Sequence, residues 1–149
     1  MLASGWRLSG VFRAQSGAPL TVSSGIDRAL SGIQAGTQRA NQVGDNPYGA
    51  KTIDNWLNPA AFAQPALGTY GNSVRNAFDD PARKVVDLSL VRSFRFLNSH
   101  RLEARVEAFN AFNWFLPGNP VTALNNANFG RILTSDDPRV MQFALKYEF

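Results

Sequence analysis

The chain has 149 residues, no cysteine, and a formal charge of +4 from 15 Lys and Arg against 11 Asp and Glu. Without cysteine, a disulfide scaffold and any thiolate metal site are excluded. The cations are scattered rather than clustered, which argues for solvated charge and against a nucleic-acid partner. The longest uncharged stretch, Ala108–Gly130, holds six Asn and two Pro, too polar and too broken to cross a bilayer as a helix.

The first regular element is expected over about 5–17. Trp6, Leu8, Gly10, Phe12 and Ala14 alternate with Arg7, Ser9, Val11, Arg13 and Gln15, the period of a strand with two unlike faces. Ser16-Gly17-Ala18-Pro19 reads as its end. Residues of about 23–83 follow, rich in Gly, Pro, Asn and Ala and without sustained periodicity, and are expected to form one long irregular loop. Its Trp56, Phe62 and Tyr70 suit either ligand contact or folding of the loop on itself.

A second strand is expected over about 84–96, with Val86, Leu88, Leu90, Phe94 and Phe96 on one face and Asp87, Ser89, Val91, Ser93 and Arg95 on the other. Arg92 interrupts the apolar face. Leu97–His100 reads as a tight turn, with His100 a solvated turn residue. A third strand is expected over about 101–113, where Arg101, Glu103, Arg105 and Glu107 alternate with Leu102, Ala104, Val106 and Ala108. The phase slips after Ala108. Asn113–Arg139 is a second loop, and Asp136-Asp137-Pro138 is its junction with the next strand rather than a calcium site, for which ligand-spaced partners are lacking. The last strand, about 139–149, sets Met141, Phe143, Leu145, Tyr147 and Phe149 against Gln142, Ala144, Lys146 and Glu148.

The expected fold is all-β: an antiparallel sheet of about four long strands, a C-terminal portion of a transmembrane β-barrel, with one long extracellular-type loop. A structureless connection of that length argues against a compact soluble domain. It is normal in outer-membrane barrels, which pair short periplasmic turns with long extracellular loops. Charge facing lipid costs roughly 2–4 kcal/mol at the midplane for Arg or Lys. Arg7, Arg13, Asp87, Arg95, Arg101, Glu103, Arg105, Glu107, Lys146 and Glu148 are therefore expected to face the lumen. Phe143, Leu145, Tyr147 and Phe149 belong to the lipid face, and their terminal position suits the signal read by the barrel-assembly machinery. No nucleotide loop, nucleophile elbow or zincin helix is present. No catalytic residue, cofactor or metal site is expected. A soluble β-sandwich that binds carbohydrate or another ligand, its apolar faces buried in a core, is the alternative.

Several stretches resemble the C-terminal end of a TonB-dependent receptor of the Oar-like kind. They are Gly5-Trp6-Arg7-Leu8-Ser9-Gly10, Arg13–Pro19, Trp56-Leu57-Asn58-Pro59-Ala60-Ala61-Phe62 and Gly68-Thr69-Tyr70-Gly71-Asn72. Arg75-Asn76, Val86–Leu90, Arg105–Asn113, Asn128-Phe129-Gly130-Arg131-Ile132 and Asp137–Lys146 complete the set. The resemblance implies an outer-membrane barrel of about 22 strands with a plugged lumen, of which this chain supplies about the last four. It implies active uptake of a nutrient or metal chelate, with outer-membrane lipid and the barrel-assembly machinery as partners. TonB is expected to act only through an N-terminal region of a longer parent. Met1–Arg7 has neither the basic nor the apolar region of an export signal, so the signal too is expected in that parent. This portion alone is expected to lack autonomous transport.

Overall fold

The computed structural model describes residues 4–33, 37–96 and 99–149. In chain order the strands are β1 (Trp6–Gln15), β2 (Pro19–Leu20), β3 (Asn41–Gln42), β4 (Tyr48–Thr52), β5 (Asn55–Leu57), β6 (Phe62–Ala63), β7 (Phe78–Asp79), β8 (Arg83–Phe96), β9 (His100–Phe109) and β10 (Val140–Glu148). The chain divides into two compact units.

The first unit comprises Met1–Gln15, Arg83–Leu116 and Asp136–Phe149. It is a four-stranded antiparallel sheet in the order β1-β8-β9-β10. Trp6 pairs with Arg92 and Gln15 with Arg83; Leu88 pairs with Ala108 and Phe96 with His100; Val140 pairs with Phe109 and Glu148 with Arg101. The strand ends Gln15, Arg83, Phe109 and Val140 thus share one end of the sheet, where the long connections begin and end. Phe96 and His100, joined by the short connection, lie at the other. Leu97 and Asn98 of the expected turn lie outside the described residues.

β9 stops at Phe109, short of the 113 expected from sequence. Asn110 and Asn113 both adopt positive φ, 48° and 53°, the left-handed region that asparagine tolerates. The Asn110 amide N–H donates to Asp87 Oδ1 at 2.9 Å, its side chain closes a ring with Trp114, and Asn113 Oδ1 accepts from Arg139 N at 2.9 Å. Two left-handed residues cannot continue a pleated strand, so the phase slip after Ala108 marks a turn.

The second unit, Ser16–Ala82 with Pro117–Ser135, corrects the expectation of a structureless loop. It pairs β2 with β7, β3 with β6 and β4 with β5, and it has its own core of Leu20, Val22, Ala40, Leu57, Ala61, Phe62, Phe78 and Phe129. Phe62 meets Phe78 and Phe129 edge-to-face at 5.4 and 5.7 Å, a favoured aromatic geometry. Asn58 caps a 3-10 turn, Pro59–Ala61, by accepting from Ala60 N, with Pro59 in the first turn where a missing N–H costs nothing. That turn sends Leu57, Ala61 and Phe62 inward together. Gly71 lies so close to the Ala40 carbonyl that a β-carbon would sit 2.4 Å from its oxygen. Two of these pairings are only two residues long and join segments far apart in sequence, and the third, β4 with β5, is broken by a register shift, which is why no periodicity announces them.

Candidate functional site

In an antiparallel pair, residues directly opposite one another point to the same face. The register therefore gathers all ten candidate charged residues onto one side of the sheet: Arg7 and Arg13 of β1, Asp87 and Arg95 of β8, Arg101, Glu103, Arg105 and Glu107 of β9, Lys146 and Glu148 of β10. Arg13 pairs with Asp87 at 3.1 Å. Glu103 receives Arg101 at 3.3 Å and Arg105 at 3.1 Å; Arg105 reaches Glu107 at 3.8 Å. Glu148 pairs with Lys146 at 2.6 Å and with Arg101 at 4.0 Å. Among the described residues, Arg7 and Arg95 join no ion pair. Solvent screens these exposed and partly exposed pairs, so they set the character of the face more than its stability.

A cavity of about 490 Å³ opens on this charged face near the end of the long connections, lined by Arg13, Arg83, Asp87, Asn110, Asp136 and Asp137 among others. Arg83 pairs with Asp136 at 3.6 Å, so the cavity carries two internally compensated ion pairs. Asp136 is thereby tied to the start of β8, and the chain at this junction is held by Asp136 N donating to Leu116 O at 2.9 Å. No group of three metal-ligating side chains occurs among the described residues.

The opposite face is apolar and open. Leu8, Phe12, Phe143, Leu145 and Tyr147 are all at least half exposed, Leu145 at 71 %, and Phe149 is 93 % exposed. Phe143, Leu145 and Tyr147 share this face with Leu102, Ala104 and Val106 across the β9–β10 pairing. A β-sandwich would cover such a face with a second sheet; among the described residues of this unit nothing does. Among the described residues no helix is long and apolar enough to cross a membrane.

At the short-connection end the face finishes in aromatics. Phe96, His100 and Tyr147 stack nearly parallel, with centroids 5.7 Å apart at each step, and Phe149 follows at 6.0 Å from Tyr147. The Tyr147 hydroxyl lies 2.5 Å from His100 Nδ1. His100 is therefore the half-buried first residue of β9, not a solvated turn residue. Its place follows from the Phe96–His100 pairing, which leaves three residues rather than four between the strands.

Arg92 also finds its setting here. Its guanidinium carbon stands 4.7 Å from the Trp6 ring centroid and 4.4 Å from that of Phe94, within cation–π range of both. Phe94 lies two residues along the same strand and was visible in sequence. Trp6 is its cross-strand partner, a relation only the register supplies. In the second unit, Phe62 is core, Trp56 lies against the core with Nε1 donating to Asp79 O at 2.9 Å, and Tyr70 is 65 % exposed. Phe62 and Trp56 therefore fold the segment on itself.

A sheet with one charged face, one open apolar face and an aromatic border suits a barrel wall between water and lipid. No curated protein and no solved structure matches the chain. The family described as an outer membrane beta barrel domain matches residues 1–142; the chain belongs to that family, and its place is the outer membrane.

Proposed function

We propose that the chain is part of a TonB-dependent outer-membrane receptor for active uptake of a nutrient or metal chelate. The observation that carries this reading is how the stretches resembling such receptors are used. They lie far apart in sequence yet meet: the Trp56 and Leu57 amides both donate to Gly130 O, at 2.8 and 3.2 Å, and the Phe62 ring meets Phe129 edge-to-face at 5.7 Å. The family-like segments thus build one folded connection.

In this reading the ten charged residues line the lumen and the cavity beside Arg13 and Asp136 faces the solute path. The long connections are extracellular and the Phe96–His100 rim is periplasmic. Phe143, Leu145, Tyr147 and Phe149 form the strand presented to the barrel-assembly machinery. Four strands do not close a barrel, for which about eight is the small end. Transport is accordingly a property of a longer parent, whose plug and N-terminal region engage TonB. The role is non-catalytic.

The test is deletion of the gene in its native host, followed by growth with a ferric chelate, cobalamin or an oligosaccharide as the limiting nutrient. Loss of growth on one of these, reproduced by removing TonB, is expected. Solute entry through the protein that persists without TonB overturns the reading and leaves a passive pore.

A further inference from the structure

We propose that Arg92, held between Trp6 and Phe94, is a binding site for the phosphate group of a glycerophospholipid in the membrane leaflet at the short-connection rim. This rests on the barrel family and the lipid-facing sheet, not on what the protein transports.

Arg92 stands on a face that is otherwise almost free of charge. Across the four strands that face carries one other cation, Lys84, near the opposite end of β8. Arg92 lies four positions before the end of β8 at Phe96 and directly opposite Trp6, the first residue of β1. At about 3.3 Å per residue and a tilt of about 40°, it sits roughly 10 Å inside the rim. That is within the reach of an arginine that extends its head to the interface. A lipid-facing cation costs little there and finds its counter-charge in the headgroup layer.

The two rings do more than soften the cost. The guanidinium carbon lies over both rings. A phosphate is met in the plane of the fork, where two parallel N–H groups match two oxygens. Trp6 is half exposed, and tryptophan favours the headgroup level, so the clamp holds the fork where phosphates lie. A cavity of about 680 Å³ opens beside it, lined by Gly5, Trp6, Arg92, Phe94, Arg95 and Arg101 among others. Arg95 and Arg101, which also border it, stand on the opposite, charged face, so Arg92 is the cation that meets a headgroup from the apolar side.

The complete protein, purified from outer membranes in mild detergent, is examined by native mass spectrometry with added phosphatidylglycerol. Wild type is expected to retain the lipid, and Arg92→Gln to retain at least about tenfold less while migrating normally in a heat-modifiability gel. Arg92→Lys keeps charge but loses the fork, so it is expected to retain less than wild type. Equal retention by wild type and Arg92→Gln overturns the proposal. Should Arg92→Gln fail to form a barrel, equal retention by wild type and Arg92→Lys overturns it instead. Displacement of the lipid by millimolar inorganic phosphate, or recovery of lipopolysaccharide in its place, overturns the assignment to a glycerophospholipid.

Discussion

Single residues decide the folded connection. Gly130 has φ 79°, and a β-carbon there would lie 2.4 Å from Leu57 O, while Gly130 O accepts from Trp56 and Leu57. Gly130→Ala therefore combines backbone strain with a clash, at a cost of about 1–3 kcal/mol. Hydrogen exchange at the Trp56 and Leu57 amides is expected to accelerate, with the amides of β8 to β10 unaffected. Asp27 offers a pH test in the same unit. The Gln38 side chain donates to its carboxylate, and so do the backbone N–H groups of Gly32 at 2.8 Å and Ser31 at 3.1 Å. Gln38 is the largest influence, and together these hold the Asp27 pKa below its ordinary value. The folded state thus binds the proton more weakly than the unfolded one. The stabilisation is complete above about pH 4 and is lost as pH falls through the folded-state pKa. The Ser31 and Gly32 amide signals are expected to shift in that acid range, and Asp27→Asn is expected to abolish the dependence.

At the scale of the element, each strand of the sheet works by the opposition of its faces. Leu145 and Gln142 both lie in β10, on opposite faces, with Gln142 directly across from Glu107. Leu145→Arg is expected to cost about 2–4 kcal/mol in a bilayer if it lies near the midplane. Gln142→Arg, gaining a carboxylate neighbour, is expected to change stability by less than about 1 kcal/mol. Denaturant midpoints of the complete protein folded into phospholipid bilayers measure both. A similar cost for the two would mean that the faces are wrongly assigned. The two-faced pattern of these strands was fully legible, because a period of two is local and survives without knowledge of any neighbour. Their exact ends were less so. β9 stops at Phe109 because Asn110 and Asn113 take left-handed backbone, and asparagine is permissive of that conformation without compelling it.

For the whole molecule, an open apolar face of this kind requires a lipid or detergent cover, and the free edges of the sheet invite association. The protein is expected to aggregate in plain buffer and to disperse in detergent; a stable monomer without detergent would contradict the membrane placement. The chain has no cysteine of its own, so single cysteines introduced here, with any elsewhere in the parent replaced by serine, report sidedness. At Ser89, on the charged face, labelling by a polar maleimide is expected in intact outer membranes. At Leu88, on the apolar face, it is not.

The sequence by itself determined that the long strands have one charged and one apolar face, and therefore which side suits lipid. The reason is energetic and local: side chains alternate along a strand, and a charge in hydrocarbon is costly wherever the strand lies. Tertiary structure decided what depends on neighbours distant in the chain. It turned the segment before β8 into a unit with a core, because its pairings are too short to leave a period and join Phe62 to Phe78 and Phe129. It placed His100 in an aromatic stack, and it gave Arg92 its Trp6 partner through the β1–β8 register, which no pattern within either strand specifies.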